Sequence, residues 1–367
     1  MKKGKGASSL VVWVFAVVFL LAAGSLGFWA GKSQLSFSRI VKTSLQENGL
    51  EQVASYDRNR EIFQHAFKKR MLEYQLYPPV ASLEEVSEHL NSMYLPVESF
   101  YGAYEALQLI GDNRTGKTFR VDYKLADRNY SAYSYRRDAA TGSAERSCAA
   151  LIIPGSGKNQ STAIFNKDTA NYHGDILNVV EPKCDSYVLV KPNEDFLAIH
   201  DGKRKLSYDF ILRYLLNKGG SYSAHYLAGS LAITKYLKKT YDQVYVVGLS
   251  QGGEASLFNA LQSRPTAAVV ASGFSLFTEE VDWAGFKQLI IHGLRRKYDN
   301  ERIYQEIERS PTRYLFTYGR RETGTYRIEA EEKLVCNQFG SLVNVECFVH
   351  DGGHSFANEK VRRFIEP

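Results

Sequence analysis

Apolar and polar segments alternate along the chain in a way that predicts strands and helices in turn. Short runs rich in β-branched residues favour buried strands, and the longer segments between them have helical periodicity. Strands are predicted at 151–154, 187–190, 244–247, 267–271, 314–318 and 345–349. Helices are predicted at 207–217, 222–239, 251–263, 283–309, 325–338 and 357–364. This order predicts a mostly parallel central sheet that helices cover on both faces.

The chain before these elements has two different patterns. Residues 118–123 and 130–136 alternate in polarity, which predicts two antiparallel strands. Residues 32–116 are polar with helical spacing, and Ser82-Leu-Glu-Glu85 is a capping-box pattern that starts a helix. We therefore predict a helical region over 32–116, serving as a stalk, a dimerisation element or a cap, and an α/β domain over 117–367.

The N-terminus has the pattern of a membrane anchor. Three lysines within residues 1–9 precede an uncharged, mostly apolar segment over 10–31, close to the ~20 residues that span a bilayer. The lysines are expected to stay in the cytoplasm, so the remainder would lie outside it, in a periplasm, at a cell surface or in a lumen. Ala22-Ala-Gly24 also resembles a signal-peptide cleavage site. Because the apolar run continues through Phe28-Trp-Ala30, an uncleaved single-pass anchor is favoured.

Composition narrows the choice of compartment and partners. The chain has 367 residues and a net charge of +6 without a block of Lys or Arg, so no nucleic-acid partner is expected. Its four cysteines suit an oxidising compartment, and no C-x-x-C spacing indicates a metal site. Cys148 and Cys184 each precede a predicted strand, so a disulfide between them is predicted if those strands are parallel neighbours. A second pair, Cys336 with Cys347, stays open.

A serine lies between a predicted strand and a predicted helix. Gly248-Leu-Ser250-Gln-Gly252 follows the strand 244–247 and fits G-x-S-x-G. In that motif the serine lies in a strained turn, with the helix N-terminus directed towards a developing oxyanion. An ordinary glycine-rich turn is the alternative. The motif makes Ser250 a candidate nucleophile.

A serine nucleophile needs a base, and the base needs an acid that orients it. His354 follows the strand 345–349 in a glycine turn, which places it at the carboxyl edge of the sheet with Ser250; His350, still at the strand end, is the rival. Glu322 follows the strand 314–318 and is the chosen acid, with Arg320 and Arg321 expected to keep it ionised. The other candidate acids are Asp351, Asp282 and Glu280.

The oxyanion of such a reaction needs two hydrogen-bond donors. The first is predicted to be the backbone N–H of Gln251. The second is expected in the loop Pro154-Gly-Ser-Gly-Lys158, with Ser156 preferred and Gly155 next. Asn193 and Asp195 follow the strand 187–190 and are weaker candidates for substrate contact, since a helix cap or loop explains them equally well.

These motifs together resemble those of the α/β-hydrolase superfamily. The resemblance rests on Gly248-Leu-Ser250-Gln-Gly252, Gly319-Arg-Arg-Glu322 and Gly352-Gly-His354-Ser-Phe356, in the order nucleophile, acid, histidine. It covers residues 117–367. The motifs around Ser250 and His354 resemble those of the dienelactone-hydrolase, acetyl-esterase and prolyl-peptidase branches. The resemblance implies a sheet of about eight strands and cofactor-free ester hydrolysis by a Ser-His-Glu triad. The chain departs from the family pattern in having a glutamate, Glu322, where aspartate is the commoner acid.

The expected function is therefore that of a membrane-anchored, extracytoplasmic serine hydrolase. Its expected substrate is an acyl ester on a small molecule or a glycan. A serine peptidase or acyltransferase with the same triad is one alternative. A catalytically silent, membrane-tethered binding protein on the same fold is the other.

Overall fold

A nine-stranded sheet runs through the part of the protein that the structure describes. The structure is a computed structural model. It describes residues 88, 90–139, 148–157, 159–167, 171–192, 194, 208–277, 291–322 and 335–365.

The strands lie in the order β1-β2-β3-β5-β4-β6-β7-β8-β9. Their bounds are β1 Gln108–Thr115, β2 Thr118–Leu125, β3 Arg128–Arg137, β4 Cys148–Ile153, β5 Asp185–Leu189, β6 Gln243–Leu249, β7 Ala267–Ala271, β8 Arg313–Gly319 and β9 Val345–His350. Strands β1 to β3 are antiparallel, as is the pairing of β3 with β5. The remaining pairs, from β5–β4 through to β8–β9, are parallel. The mostly parallel sheet is thus confirmed, with nine strands rather than about eight.

The described α-helices lie before β1, between β4 and β9, and after β9. They are α1 Ala103–Ala106, α2 Gln160–Phe165, α3 Ile176–Val180, α4 Tyr208–Asn217, α5 Tyr222–Thr240, α6 Gln251–Ser263, α7 Leu294–Lys297, α8 Asn300–Glu308, α9 Asn337–Phe339 and α10 Asn358–Ile365. Where 283–309 was predicted as one helix, α7 and α8 are separate. Asp299 causes the restart, because its side chain caps α8 by accepting a hydrogen bond from the Arg302 N–H at 2.7 Å.

Two hydrophobic cores lie on opposite faces of the sheet. Alternate residues of β6 enter each core, with Val244 and Val246 on one side and Tyr245 and Val247 on the other. Helices α5 and α6 cover the first face, and α2, α3 and α10 cover the second. Because both faces are buried, the parallel strands read as continuous apolar runs in the sequence.

Strand β1 corrects the prediction for the end of the N-terminal region. Residues 32–116 were predicted to be helical, but Gln108–Thr115 pairs with β2 and extends the sheet. The strand is at the edge, nearly all of its residues are exposed, and it contains Gly111, Asp112 and Asn113. Such a strand has no buried face, so its sequence has no alternation from which to predict it.

The predicted membrane anchor, residues 10–31, lies outside the described residues. Within the described ranges, no helix is both long enough and apolar enough to cross a bilayer. The anchor therefore stays a prediction, as does the division into domains at 9, 31 and 116.

Two disulfides are present in the described part of the chain. Cys148 and Cys184 are bonded, with their Cα atoms 5.0 Å apart. Cys148 is the first residue of β4 and Cys184 directly precedes β5, and these two strands are parallel neighbours. This pairing confirms the prediction and its reason. Cys336 and Cys347, the pair left open, are bonded as well.

The Cys148–Cys184 bond closes a loop with a sequence separation of 36 residues. We expect the double variant Cys148→Ser/Cys184→Ser to lower the free energy of unfolding by about 3–4 kcal/mol, because the unfolded chain regains loop entropy. Urea denaturation of oxidised wild type and variant measures the difference. Equal midpoints, or no Cys148–Cys184 peptide in a non-reducing digest, would contradict the pairing.

Candidate active site

Ser250 lies at a sharp turn between β6 and α6. Its backbone has φ 61° and ψ −128°, a combination that L-residues rarely adopt and that stores strain. Its N–H donates to the Ala271 carbonyl at 2.9 Å, and its own carbonyl accepts from the N–H groups of Gly253 and Glu254. The side chain is almost completely buried, with 4% of the residue exposed. The turn therefore holds the serine at the carboxyl end of a central strand.

The glycines of the motif are required by close backbone packing around this turn. A Cβ atom on Gly252 would overlap the carbonyl oxygen of Ile153, the last residue of β4. A Cβ atom on Gly248 would overlap the carbonyl oxygen of Gly252. The start of α6 thus lies directly against two strands, and only glycine allows that approach.

His354 and Glu322 lie next to each other at the same edge of the sheet. Nδ1 of His354 is 3.7 Å from Oε1 of Glu322, whose side chain is 1% exposed. The Gly319 N–H donates to this oxygen at 3.1 Å, and the Ser272 hydroxyl donates to it in a short hydrogen bond. The His354 contact is longer than a hydrogen bond, as is common for catalytic pairs without substrate. The carboxylate is therefore held on the histidine side by two fixed donors.

The other candidate acids are placed less favourably. The side chain of Asp351 is 94% exposed and lies 3.2 Å from Nε of Arg320. Nε of Arg321 donates to the Asp351 carbonyl at 2.6 Å. Both guanidinium groups contact Asp351, so the expectation that these arginines keep Glu322 ionised stays a prediction. Asp282 and Glu280 lie outside the described residues.

His350, the rival base, belongs to the end of β9. Its Nδ1 accepts a hydrogen bond from the Gly352 N–H at 3.2 Å, and its Nε2 is buried with no partner among the described residues. Burial lowers the pKa of His350. These contacts fix the ring within the turn, whereas the side chain of His354 is 33% exposed beside the carboxylate.

Tyr172 connects the histidine to the loop that follows β4. Its ring stacks on the His354 ring with centroids 5.6 Å apart, and its hydroxyl donates to the Ser156 carbonyl at 2.8 Å. A Cβ atom on Gly155 would overlap the Tyr172 hydroxyl and would lie 3.1 Å from Cβ of Ser250. Ser250 therefore lies against this loop, and His354 is connected to it through Tyr172. Tyr172 was missed because the sequence around it has no pattern that distinguishes it.

Side chains hold nearly every backbone polar group of this loop, residues 154–156. The hydroxyl of Tyr226 donates to the Pro154 carbonyl at 2.6 Å. The Gly155 N–H donates to Nε2 of His173 at 2.8 Å. This contact occupies the Gly155 N–H, which was one of the predicted oxyanion donors. The Ser156 N–H has no acceptor among the described residues, so it is the donor that the loop still offers.

His173 accepts that bond because it is held neutral in one tautomer. Its Nδ1 lies 2.6 Å from Oδ1 of Asn171 and so carries the proton, which leaves Nε2 as an acceptor. Burial, with smaller contributions from Lys191 and His354, lowers the pKa of His173 to about 3. The imidazole is thus a fixed structural acceptor at neutral pH.

Gln251, the other predicted donor, is the first residue of α6 and is buried. Its backbone N–H belongs to the first turn of the helix, where N–H groups are oriented away from the helix body. Oε1 of Gln251 accepts a hydrogen bond from Nζ of Lys191 at 3.0 Å. Sequence analysis did not identify Lys191, since a single lysine after a strand has no distinguishing pattern.

The residues predicted to contact substrate are not placed. Asn193 and Asp195 lie outside the described residues. Glu194, between them, is buried, and its Oε1 accepts from both the N–H and the hydroxyl of Ser161 at 2.8 Å. Within the described ranges, no cluster of three or more His, Cys, Asp or Glu residues could hold a metal ion.

No protein-family model matches the chain, and no curated protein matches it either. Among solved structures, it is similar to a carbohydrate esterase family 15 glucuronoyl esterase from Caldicellulosiruptor kristjansonii, with 14% identity over 78% of this chain and 85% of that one and a TM-score of 0.47. It is similar to acetyl xylan esterase 1 from a Thermoanaerobacterium species, with 14% identity over 77% and 97% and a TM-score of 0.42. It is also similar to the acylaminoacyl peptidase from Pyrococcus horikoshii, with 11% identity over 68% of this chain and 46% of that one and a TM-score of 0.37.

Identities and TM-scores this low assign no activity or substrate to the chain. Its architecture rests on its own topology, which is a mostly parallel sheet with helices on both faces and a serine turn between β6 and α6. Glu322 and His354 follow the later strands β8 and β9 in that order. This is the arrangement of the α/β-hydrolase fold.

Glu322 is buried beside His354 whereas Asp351 is exposed, so replacing each in turn tests which of them is the acid. We expect Glu322→Gln to lower kcat for p-nitrophenyl acetate by about 10³–10⁴, because an amide in place of the carboxylate no longer stabilises the imidazolium that forms at His354. Asp351→Asn is the matched control and should stay within about twofold of wild type, as expected for an exposed ion pair. The reverse order of losses would show that Asp351 is the acid.

Proposed function

We propose that this protein is a serine hydrolase that cleaves carboxylic esters through an acyl-enzyme intermediate. Ser250 is the nucleophile, His354 the general base and Glu322 the acid that orients it. The observation that carries the proposal is the strained backbone of Ser250 at the start of α6. An ordinary turn has no reason to retain a non-glycine residue in that conformation.

The geometry supports this chemistry on two further points. The imidazole of His354 lies beside a buried carboxylate, which favours the protonated ring after it takes the Ser250 proton. Gln251 directly follows Ser250, and Gly155, the residue before Ser156, lies against Ser250, so the N–H groups of Gln251 and Ser156 are the proposed donors to a tetrahedral oxyanion. His354 then returns the proton to the leaving alcohol, and a water molecule releases the acyl group by the reverse sequence.

The proposed setting is the outer face of a membrane. Residues 10–31 would anchor the chain with its N-terminus in the cytoplasm, and the α/β domain would act on acyl esters of glycans or small molecules outside it. Two disulfides support an oxidising compartment. The proposed reaction needs no cofactor.

Removal of the serine hydroxyl tests the proposal. We expect Ser250→Ala to lower kcat for p-nitrophenyl acetate by about 10⁶ and to abolish labelling by a fluorophosphonate probe. Ser263→Ala, at the opposite end of α6, is the matched control and should be labelled at the wild-type rate. Urea denaturation should show both variants folded.

Two outcomes would contradict the proposal in different ways. Normal ester turnover by Ser250→Ala would show that another group is the nucleophile. Folded wild-type protein that is neither labelled at Ser250 nor active on p-nitrophenyl esters of any chain length would show a silent binding protein.

A further inference from the structure

A buried lysine joins the two segments that carry the proposed oxyanion donors. Lys191 lies two residues after the end of β5, and only 1% of it is exposed. Its Nζ donates to the Gly155 carbonyl at 2.9 Å and to Oε1 of Gln251 at 3.0 Å. The loop after β4 and the start of α6 are therefore linked through one ammonium group.

The contact to Gly155 acts on the peptide group that contains the second donor. The Gly155 carbonyl and the Ser156 N–H belong to one peptide unit, which is planar and trans. A bond that fixes the carbonyl oxygen therefore fixes the direction of the Ser156 N–H. A cation on the oxygen also polarises the unit and makes its N–H a stronger donor.

Three other side chains also bind backbone groups of the loop 154–156. Tyr226 holds the Pro154 carbonyl, His173 holds the Gly155 N–H and Tyr172 holds the Ser156 carbonyl. Among these four side chains, only Lys191 carries a positive charge, since His173 is neutral. It contacts both the loop and α6.

A buried ammonium group needs a counter-charge, and the structure supplies one. Glu194 is fully buried nearby, and its carboxylate raises the pKa of Lys191 against the larger effect of burial, which lowers it. Burial likewise raises the pKa of Glu194, and the Lys191 charge lowers it. The free energy needed to remove two opposite charges from water can exceed the attraction between them. A functional reason for the presence of Lys191 and Glu194 is therefore worth testing.

We propose that Lys191 is a positioning residue of the oxyanion hole, which orients and polarises the Ser156 N–H through the Gly155 carbonyl and fixes the loop against Gln251. The inference rests on the proposed function. Lys191 itself contacts neither substrate nor the reacting atoms.

The first test separates transition-state binding from substrate binding. We expect Lys191→Met to lower kcat for p-nitrophenyl acetate by about 10–100-fold, less than the loss of a donor itself, with KM changed less than about twofold. Phenylboronic acid forms a tetrahedral adduct with the serine, so its inhibition constant should rise by the same factor as kcat falls. A loss of ground-state binding alone would raise KM instead.

A lysine elsewhere in the fold gives the matched control. Nζ of Lys235 in α5 also donates to two backbone carbonyls, those of Tyr104 and Leu107 at 2.7 and 2.8 Å. It lies nine residues beyond Tyr226 along the same helix, or about 13 Å. We expect Lys235→Met to lose stability without a change in kcat.

A second variant separates positioning from the loss of a counter-charge. Lys191→Met leaves Glu194 buried without its partner, whereas Lys191→Met/Glu194→Gln removes both charges. If positioning is the role, the double variant keeps the loss in kcat and in phenylboronic acid affinity. Recovery of wild-type kcat in the double variant would overturn the proposal, since the loss would then come from the unpaired carboxylate.

The result for wild type distinguishes failure of this inference from failure of the proposed function. An active wild type with unchanged kcat and inhibition constant in folded Lys191→Met, or in the double variant if the single one does not fold, overturns only the role of Lys191. A wild type without hydrolysis or fluorophosphonate labelling overturns both.

Discussion

The close packing of backbone around Ser250 is the constraint on which the rest of the site depends. The Ser250 N–H binds the end of β7, while the glycines of the motif bring α6 against β4 and β6. Three strands and a helix thereby converge on one residue, and its unfavourable φ is maintained because several contacts fix it at once. A rigid turn of this kind delivers the hydroxyl, the helix N-terminus and the loop after β4 to a common point.

Buried polar groups supply the second level of organisation. His173, Lys191, Tyr172 and Tyr226 each hold one polar group of the loop 154–156, and two donors fix the carboxylate of Glu322. In a medium of low polarity such bonds are strong and an unmade one is costly, so the network favours a single loop conformation. The loop therefore has a fixed conformation of its own, as the proposed stabilisation of an oxyanion would require.

The sequence predicts the elements whose residues carry their own pattern. Parallel strands are buried on both faces and read as apolar runs, so β4 to β9 and the helix after Ser250 were found close to their observed positions. Strand β1 was missed because an exposed edge strand buries no face. Glu322 and His354 were predicted from their place after strands, and the structure brings them together. Tyr172, His173 and Lys191 could not be predicted, because their contacts are made with residues distant in sequence. The directions of Arg320 and Arg321 depend on the turn at Asp351, which no local pattern encodes.

The disulfide between Cys148 and Cys184 has a consequence for strand register. It joins the amino ends of β4 and β5, which pair in register from Ala149 and Asp185 onwards. The carboxyl ends of the same two strands lead to Gly155 and Lys191, 2.9 Å apart at their bonded atoms. A slip by one residue would shift one strand by about 3.3 Å and separate those atoms. The covalent bond at one end of the strand pair thus prevents sliding at the other. An oxidising environment would therefore help to align the contact between Gly155 and Lys191, which lie seven residues after the two cysteines.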